Sequence, residues 1–252
     1  AQSYTLLHGT PTPLMADLTG TRIEASQPIS VFSGNTAAVI PQNYSAADHL
    51  IEQLPPVSTW GKQFLTQPLA TRTGGDTVRV LAHQDDTLVF INDVHISTLA
   101  AGQFYETILT TSSSIRTSKP TLVAQFSNST SFDGTLGDPF MMLVPPVEQF
   151  QSDYTLSTPT TGFDVNFANL LVPNIAVASL RYDGAAIPTS LFSVIGSSGF
   201  SSISIPIGVG SHRFTSDAPF GVSIYGFDSD ESFGYLLRSM HYQLRPRPSF
   251  CL

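Results

Sequence analysis

Charge is scarce in this chain. Of its 252 residues, 12% are Asp, Glu, Lys or Arg, about half the share of an ordinary soluble domain. Lysine occurs only at Lys62 and Lys119, and Cys251 is the single cysteine. Each shortage excludes a class. With 11 Lys+Arg against 19 Asp+Glu, net charge −8, there is no basic face for nucleic acid. One cysteine cannot staple a small disulfide scaffold. No apolar run approaches the ~18 residues of a spanning helix, so membrane insertion is not expected. The 18 glycines lack the every-third spacing of collagen. A disordered chain would combine low hydrophobicity with high net charge, and 41% of this chain is hydrophobic. What is abundant is hydroxyl: 31 Ser and 26 Thr, 57 of 252 residues. The chain is long enough for one large core or two smaller ones.

Two N-glycosylation sequons occur, Asn43-Tyr44-Ser45 and Asn128-Ser129-Thr130. Ala1-Gln2-Ser3 suits a freshly cleaved mature terminus. Both point to an extracellular or cell-surface location. A near-absence of cysteine neither supports nor opposes it, since large β-domains stand without disulfides.

The hydrophobic pattern has a period of two. Ile29-Ser30-Val31-Phe32-Ser33, Thr77-Val78-Arg79-Val80-Leu81-Ala82 and Ser202-Ile203-Ser204-Ile205 read as strands. Turn signals at Gly74-Gly75, Asn92-Asp93, Asp133-Gly134, Asp183-Gly184 and Gly208-Val209-Gly210 bound them. Strands at this spacing suggest a sandwich or barrel. The best helical stretch is residues 46–53, stopped by Pro55-Pro56.

An internal repeat organises the chain. Asp48-His49-Leu50-Ile51-Glu52-Gln53-Leu54-Pro55-Pro56-Val57, with Trp60 and Phe64, is answered ninety positions later. There stand Asp138-Pro139-Phe140-Met141-Met142-Leu143-Val144-Pro145-Pro146-Val147, with Phe150 and Tyr154. The segment ending at Asn92-Asp93 is answered by the one ending at Asp183-Gly184. A Ser-x-Pro element before an apolar run occurs at Ser26, at Ser118 and, one residue longer, at Ser216. The expected fold is all-β: two tandem, related β-sandwich (jelly-roll-like) modules formed by duplication, with extra N-terminal strands. Residues 1–47 hold those strands, 48–133 the first module, 134–236 the second, and 237–252 an extended basic tail with Arg238, Arg245 and Arg247. Residues 1–34 read as a partial unit, so residues 22–32 should pair with a full module or form the contact between modules.

Phe32-Ser33-Gly34-Asn35, the Asp48–Gly61 segment, Gly75-Asp76 and Arg79-Val80-Leu81-Ala82 resemble the N-terminal domain of IgGFc-binding proteins. So do Gly137-Asp138-Pro139, Glu148-Gln149-Phe150, Tyr225-Gly226-Phe227 and Gly234-Tyr235. The likeness covers residues 20 to 236. It implies an extracellular, non-enzymatic domain that in animals often precedes mucin-like or von Willebrand type D modules. It marks Asp48, His49, Glu52, Gln53, Pro55, Pro56, Trp60, Gly61, Asp76, Arg79, Asp138, Pro145, Pro146, Gln149 and Phe150 as motif positions with a structural role. Relatives often carry cysteines where this chain has Ala37-Ala38 and Ala46-Ala47. The loop between Asn35 and Asp48 should then be looser.

Catalytic chemistry finds little support. No Gly-x-Ser-x-Gly elbow is present, and the six histidines fit no zinc spacing. Glu52 and Glu148 lie near corresponding repeat positions and read as turn-bonding groups, not as a hydrolytic pair. Asp85-Asp86 and Asp228-Ser229-Asp230-Glu231 read as solvated turns; Asp228, Asp230 and Glu231 could at most attract calcium, and no cofactor is expected. Trp60, Phe64, Phe150 and Tyr154 recur in both units and read as core anchors. Tyr225, Phe227, Phe233 and Tyr235 fit either a core or a binding surface. The expected function is a binding or adhesion module for a protein or glycan at a cell surface or in extracellular matrix, flanked by further modules of its parent chain. The alternatives are a structural subunit of a coat or appendage and, less favoured, a carbohydrate-active enzyme.

Overall fold

The computed structural model describes residues 17–163, 165–236 and 249–251. They form two curled, antiparallel β-sandwich-like modules, each organised on one long strand. In the first module that strand is Ser113–Phe126. Its first half pairs with Gly61–Thr66 and Thr87–Ile91, and its second half with Asp76–Ala82 and Met141–Val144. In the second module the strand is Ser211–Asp228. Its first half pairs with Gln151–Ser157 and Arg181–Tyr182, and its second half with Val165–Pro173 and Glu231–Leu236. The change of partner falls at Pro120 and Pro219. Proline has no N–H to give a ladder, so a strand bends there and serves two layers.

The duplication holds at the level of dihedral angles. Pro56 has φ −64 and ψ 148, and Pro146 has φ −66 and ψ 153. Each opens a single 3₁₀ turn, closed by Trp60 N–H to Val57 O and Phe150 N–H to Val147 O, both at 3.1 Å. The following strands carry the same bulge, between Gly61 and Gln63 and between Gln151 and Asp153. The hairpin turns also match: positive φ of 49 and 65 at Asn92 and Asp93, and 49 and 81 at Asp183 and Gly184. Across those bulges Thr121 corresponds to Phe220 and Arg116 to Thr215, 99 residues apart in each case. Pro120 and Pro219 therefore coincide, and the apparent extra residue at Ser216 is a displaced serine in segments of equal spacing.

Residues 46–53 are not helical. Asp48–Leu54 is a strand paired with Val31–Ala38. Its Leu50 and Leu54 face inward while His49 and Ile51 face out, and the ladder outweighs a local propensity worth only tenths of a kcal/mol per residue. Residues 22–24 pair with Ser249–Cys251. The end of the expected tail therefore returns to the body; Arg238, Arg245 and Arg247 lie outside the described residues. Strand Met141–Val144 belongs to the first sheet. The boundaries at 47/48 and 133/134 thus separate strands that pair with each other.

Three strand pairs stack in series. The first is Val31–Ala38 with Asp48–Leu54. The second is residues 123–126 with Met141–Val144, and the third residues 223–228 with Glu231–Leu236. They share one register: Val31 sits opposite Leu54 as Val123 sits opposite Val144. Val31, Leu50 and Leu54 of the first pair cover Ala124, Phe126 and Leu143 of the second. From its opposite face, the second pair sends Met142, with neighbouring Phe140, onto Tyr225 and Phe227 of the third. Gly234 lies so close to Phe140 that a Cβ would stand 2.1 Å from its ring. Further cores lie inside each curl, around Val80, Val89 and Val123 in the first module and Leu170, Phe214 and Ile224 in the second.

Candidate functional site

The two Pro-Pro-Val turns lie against each other at the module junction. A Cβ on Gly61 would stand 2.2 Å from Cβ of Pro146. Gln149 Nε2 donates to Thr59 O at 2.7 Å, so the repeated element binds its own copy. Trp60 Nε1 donates to Pro55 O at 3.2 Å, and its ring meets His83 edge-on at 5.5 Å. Trp60, Phe64, Phe150 and Tyr154 are all buried, and Tyr154 is held out of water far enough to push its hydroxyl up to about 12. Gly61→Ala should destabilise the fold by about 1–3 kcal/mol through overpacking against Pro146. A thermal melt checks this, and an unchanged midpoint refutes the contact.

Next to these turns runs a buried polar seam that draws on both modules. Asp76 Oδ2 accepts from Leu69 N–H at 2.8 Å and Gln125 Nε2 at 2.7 Å. Gln125 also donates to Gln67 O at 2.9 Å, which Asn169 of the second module reaches at 3.0 Å. Tyr225 donates its hydroxyl to Asn169 Oδ1 and accepts from Ala70 N–H, both at 2.8 Å. A cavity of about 10 Å³ opens among Gln67, Gln125, Asn169 and Ser223, about the size of one water. Asp76 Oδ1 has no partner, and burial pushes this carboxyl up to about 7.

Arg72 anchors the far end. Its guanidinium donates to the carbonyls of Leu136 at 2.9 Å, Ser129 at 3.2 Å and Asn128, and lies 5.6 Å from the Phe227 ring centre. Asp133 Oδ2 stands 3.3 Å from Nε, an ion pair out of line for a hydrogen bond. Asp138, close by, is buried and its carboxyl is raised, with Thr130 donating to it at 3.1 Å.

The family profile of the IgGFc binding protein matches residues 2–226. The chain belongs to the IgGFc-binding protein family. Human IgGFc-binding protein is 25% identical over 213 residues, which is 80% of this chain and 4% of that protein. The chain thus spans a small fraction of that relative's length. Among solved structures, the apo form of a lectin from Pleurotus ostreatus has TM-score 0.21 and 13% identity, covering 75% of this chain and 82% of the lectin. A lectin from Pleurotus ostreatus in complex with GalNAc has TM-score 0.23 and 11% identity, covering 85% of this chain and 84% of that one. Those scores are too low for its fold or ligand to be carried over.

The structure disperses the motif of this IgGFc-binding family member. Pro55, Pro56, Trp60, Gly61, Pro145, Pro146, Gln149 and Phe150 build the junction, and Asp76 and Asp138 lie in or beside the polar seam. Arg79 lies on the opposite face of the sheet, over Phe104 at 4.8 Å and Phe126 at 5.4 Å, paired with Asp17 at 2.9 Å and with Glu106. Asp48 accepts from the His49 ring at 2.8 Å. Glu52 and Gln53 sit on strand Asp48–Leu54 opposite Ser33 and Phe32. Glu148 instead occupies the 3₁₀ turn where the first unit has Ser58, so the two glutamates are not equivalent. Asp228 and Glu231 close a two-residue hairpin over Ser229 and Asp230. Among the described residues, no three His, Cys, Asp or Glu side chains converge as a metal site. None of the described helices is long and apolar enough to cross a membrane.

The sequons separate. Asn43 is exposed, with φ 74 in a turn. Asn128 is fully buried; its amide donates to Gly75 O at 2.7 Å and accepts from Thr77 at 2.6 Å. A glycan on Asn128 has no room in the fold, so that site is expected to stay unmodified. Secretion from a glycosylating host should give at most one N-glycan, lost in Asn43→Gln; intact-mass measurement of folded protein checks this, and occupancy at Asn128 contradicts it. Gln67, Arg72, Gln125 and Asn169 carry the seam without any sequence signal beyond a Pro- and Gly-flanked connection at residues 67–75. Tyr225 and Phe227 join the junction core, whereas Phe233 and Tyr235 pack half-buried on the second module.

Proposed function

We propose that this chain is an extracellular, non-enzymatic binding module whose ligand is a protein or glycan of a cell surface or matrix. Family membership supports binding as the activity. The motif residues are largely engaged in the junction, which leaves recognition to exposed loops. The observation that carries the reading is the hydrogen bond from Ser197 Oγ to Asp93. It ties a loop of the second module to a hairpin tip of the first, making one composite surface. Arg116 lies 4.1 Å over the Phe90 ring there, and His95 lies 5.4 Å from the same ring. Val94, Leu191 and Val194 are exposed on the same two segments. A stacked arginine with aromatic and aliphatic neighbours is the composition that dominates recognition surfaces.

The experiment is equilibrium binding of the chain to an immobilised immunoglobulin Fc fragment and to a glycan panel. The Fc arm asks whether the activity in the human relative's name extends to this chain. Retention on one arm, weakened about tenfold or more by Arg116→Ala, supports the reading. Retention on neither arm, or cleavage of a bound glycan, overturns it.

A further inference from the structure

The series of stacked strand pairs is open at one end. The first pair covers the second, and the second covers the third. On the covered face, the second pair holds Ala124, Phe126, Met141 and Leu143, and the third holds Ser223, Tyr225 and Gly234. Of these, Ala124, Phe126, Leu143, Ser223 and Tyr225 are buried. The same positions in the first pair are Phe32, Gly34, Ile51 and Gln53. There Phe32 is 61% exposed and Ile51 is 65% exposed. Two large apolar side chains stand diagonally across one strand pair, on a face that is buried in both other copies. Such a face is a ready template for association.

We propose that this face docks a second copy of the chain, which lays its third strand pair on it by the rule already used twice within the molecule. The pattern fixes the occupant. Each covered face meets the opposite face of a neighbouring strand pair, through Leu50 in the first pair and through its counterpart Phe140, with Met142, in the second. In the third pair these positions are Phe233 and Tyr235, both half-buried. The new contact continues an existing interface and joins two unlike faces. Such a contact does not close on itself, so copies add head to tail.

Sedimentation velocity of the full chain across a wide concentration range tests this. Wild type should grow past the dimer with concentration. Phe32→Lys and Ile51→Lys, at exposed positions, should keep the wild-type circular dichroism spectrum and associate at least about tenfold more weakly. The Phe32→Lys chain keeps its third-pair face, so it should cap wild-type assemblies and shorten them in proportion to the amount added. A wild type that stays monomeric overturns the proposal, and so does a lysine variant that assembles like wild type. A wild type that stops at the dimer and ignores the capping chain overturns it as well, because the contact would then join two like faces.

Discussion

Arg72→Met should lower the unfolding free energy by about 3–5 kcal/mol, the range for removing one member of a buried ion pair. Methionine fills much of the space, so cavity formation is a minor part of the loss. The larger part is what the side chain leaves behind. The carbonyls of Asn128 and Leu136 lose the guanidinium donor, Ser129 O keeps only Phe132 N–H, and Asp133 is left buried without its cation. An orphaned buried acceptor costs about 1–3 kcal/mol and a charge more. Arg72→Lys keeps the charge but cannot present donors to three carbonyls in a fixed fork, so it should recover only part of the loss. Urea unfolding of the three proteins measures this. A loss below about 1 kcal/mol for the methionine variant would show that the hub is dispensable.

Asp76 gives the second large effect, and its sign is the reverse of the usual carboxylate. Burial holds its folded value near 7, far above the 3.8 of the free side chain. Between those limits the folded chain keeps a proton that the unfolded chain has released. Stability from this group is therefore complete below about pH 4, declines as pH rises to 7, and is flat above that. At 1.36 kcal/mol per pH unit the whole decline is at most about 4 kcal/mol. Asp17, Asp153 and Asp183 are shifted the other way, so the effect appears as a difference between wild type and Asp76→Asn. Asn166 occupies the corresponding place in the second module, which shows that the repeat accepts an amide there. The variant should gain on wild type steadily from pH 4 to pH 7. Parallel pH profiles would show that Asp76 stays ionised in the fold.

Much of this architecture was legible because strands write themselves in alternation and duplication writes itself twice. Thr77-Val78-Arg79-Val80 announced a strand, and the recurrence of Trp60 and Phe64 as Phe150 and Tyr154 marked them as anchors. The misread helix at residues 46–53 has a plain cause. Ile51 is apolar yet faces outward, so Leu50, Ile51 and Leu54 imitate helical spacing in a strand whose alternation it breaks. Asn128 shows a different limit: a sequon states which residue is eligible, and only the fold states whether it can be reached. Arg72, Gln125 and Asn169 were invisible for a related reason. Their partners are backbone carbonyls and side chains up to about a hundred residues away, and no local pattern encodes such company.

The ladder between Arg22–Glu24 and Ser249–Cys251 bears on mechanics. Arg22 lies opposite Cys251, so the two outgoing directions leave from the same rung. Tension applied at these residues loads that ladder by unzipping, one rung at a time, rather than by shear across all rungs at once. The stacked modules behind it take up most of their load only after the last rung yields. Up to that point the domain hangs beside a stretched chain as a closed loop, shielded from the force that passes it.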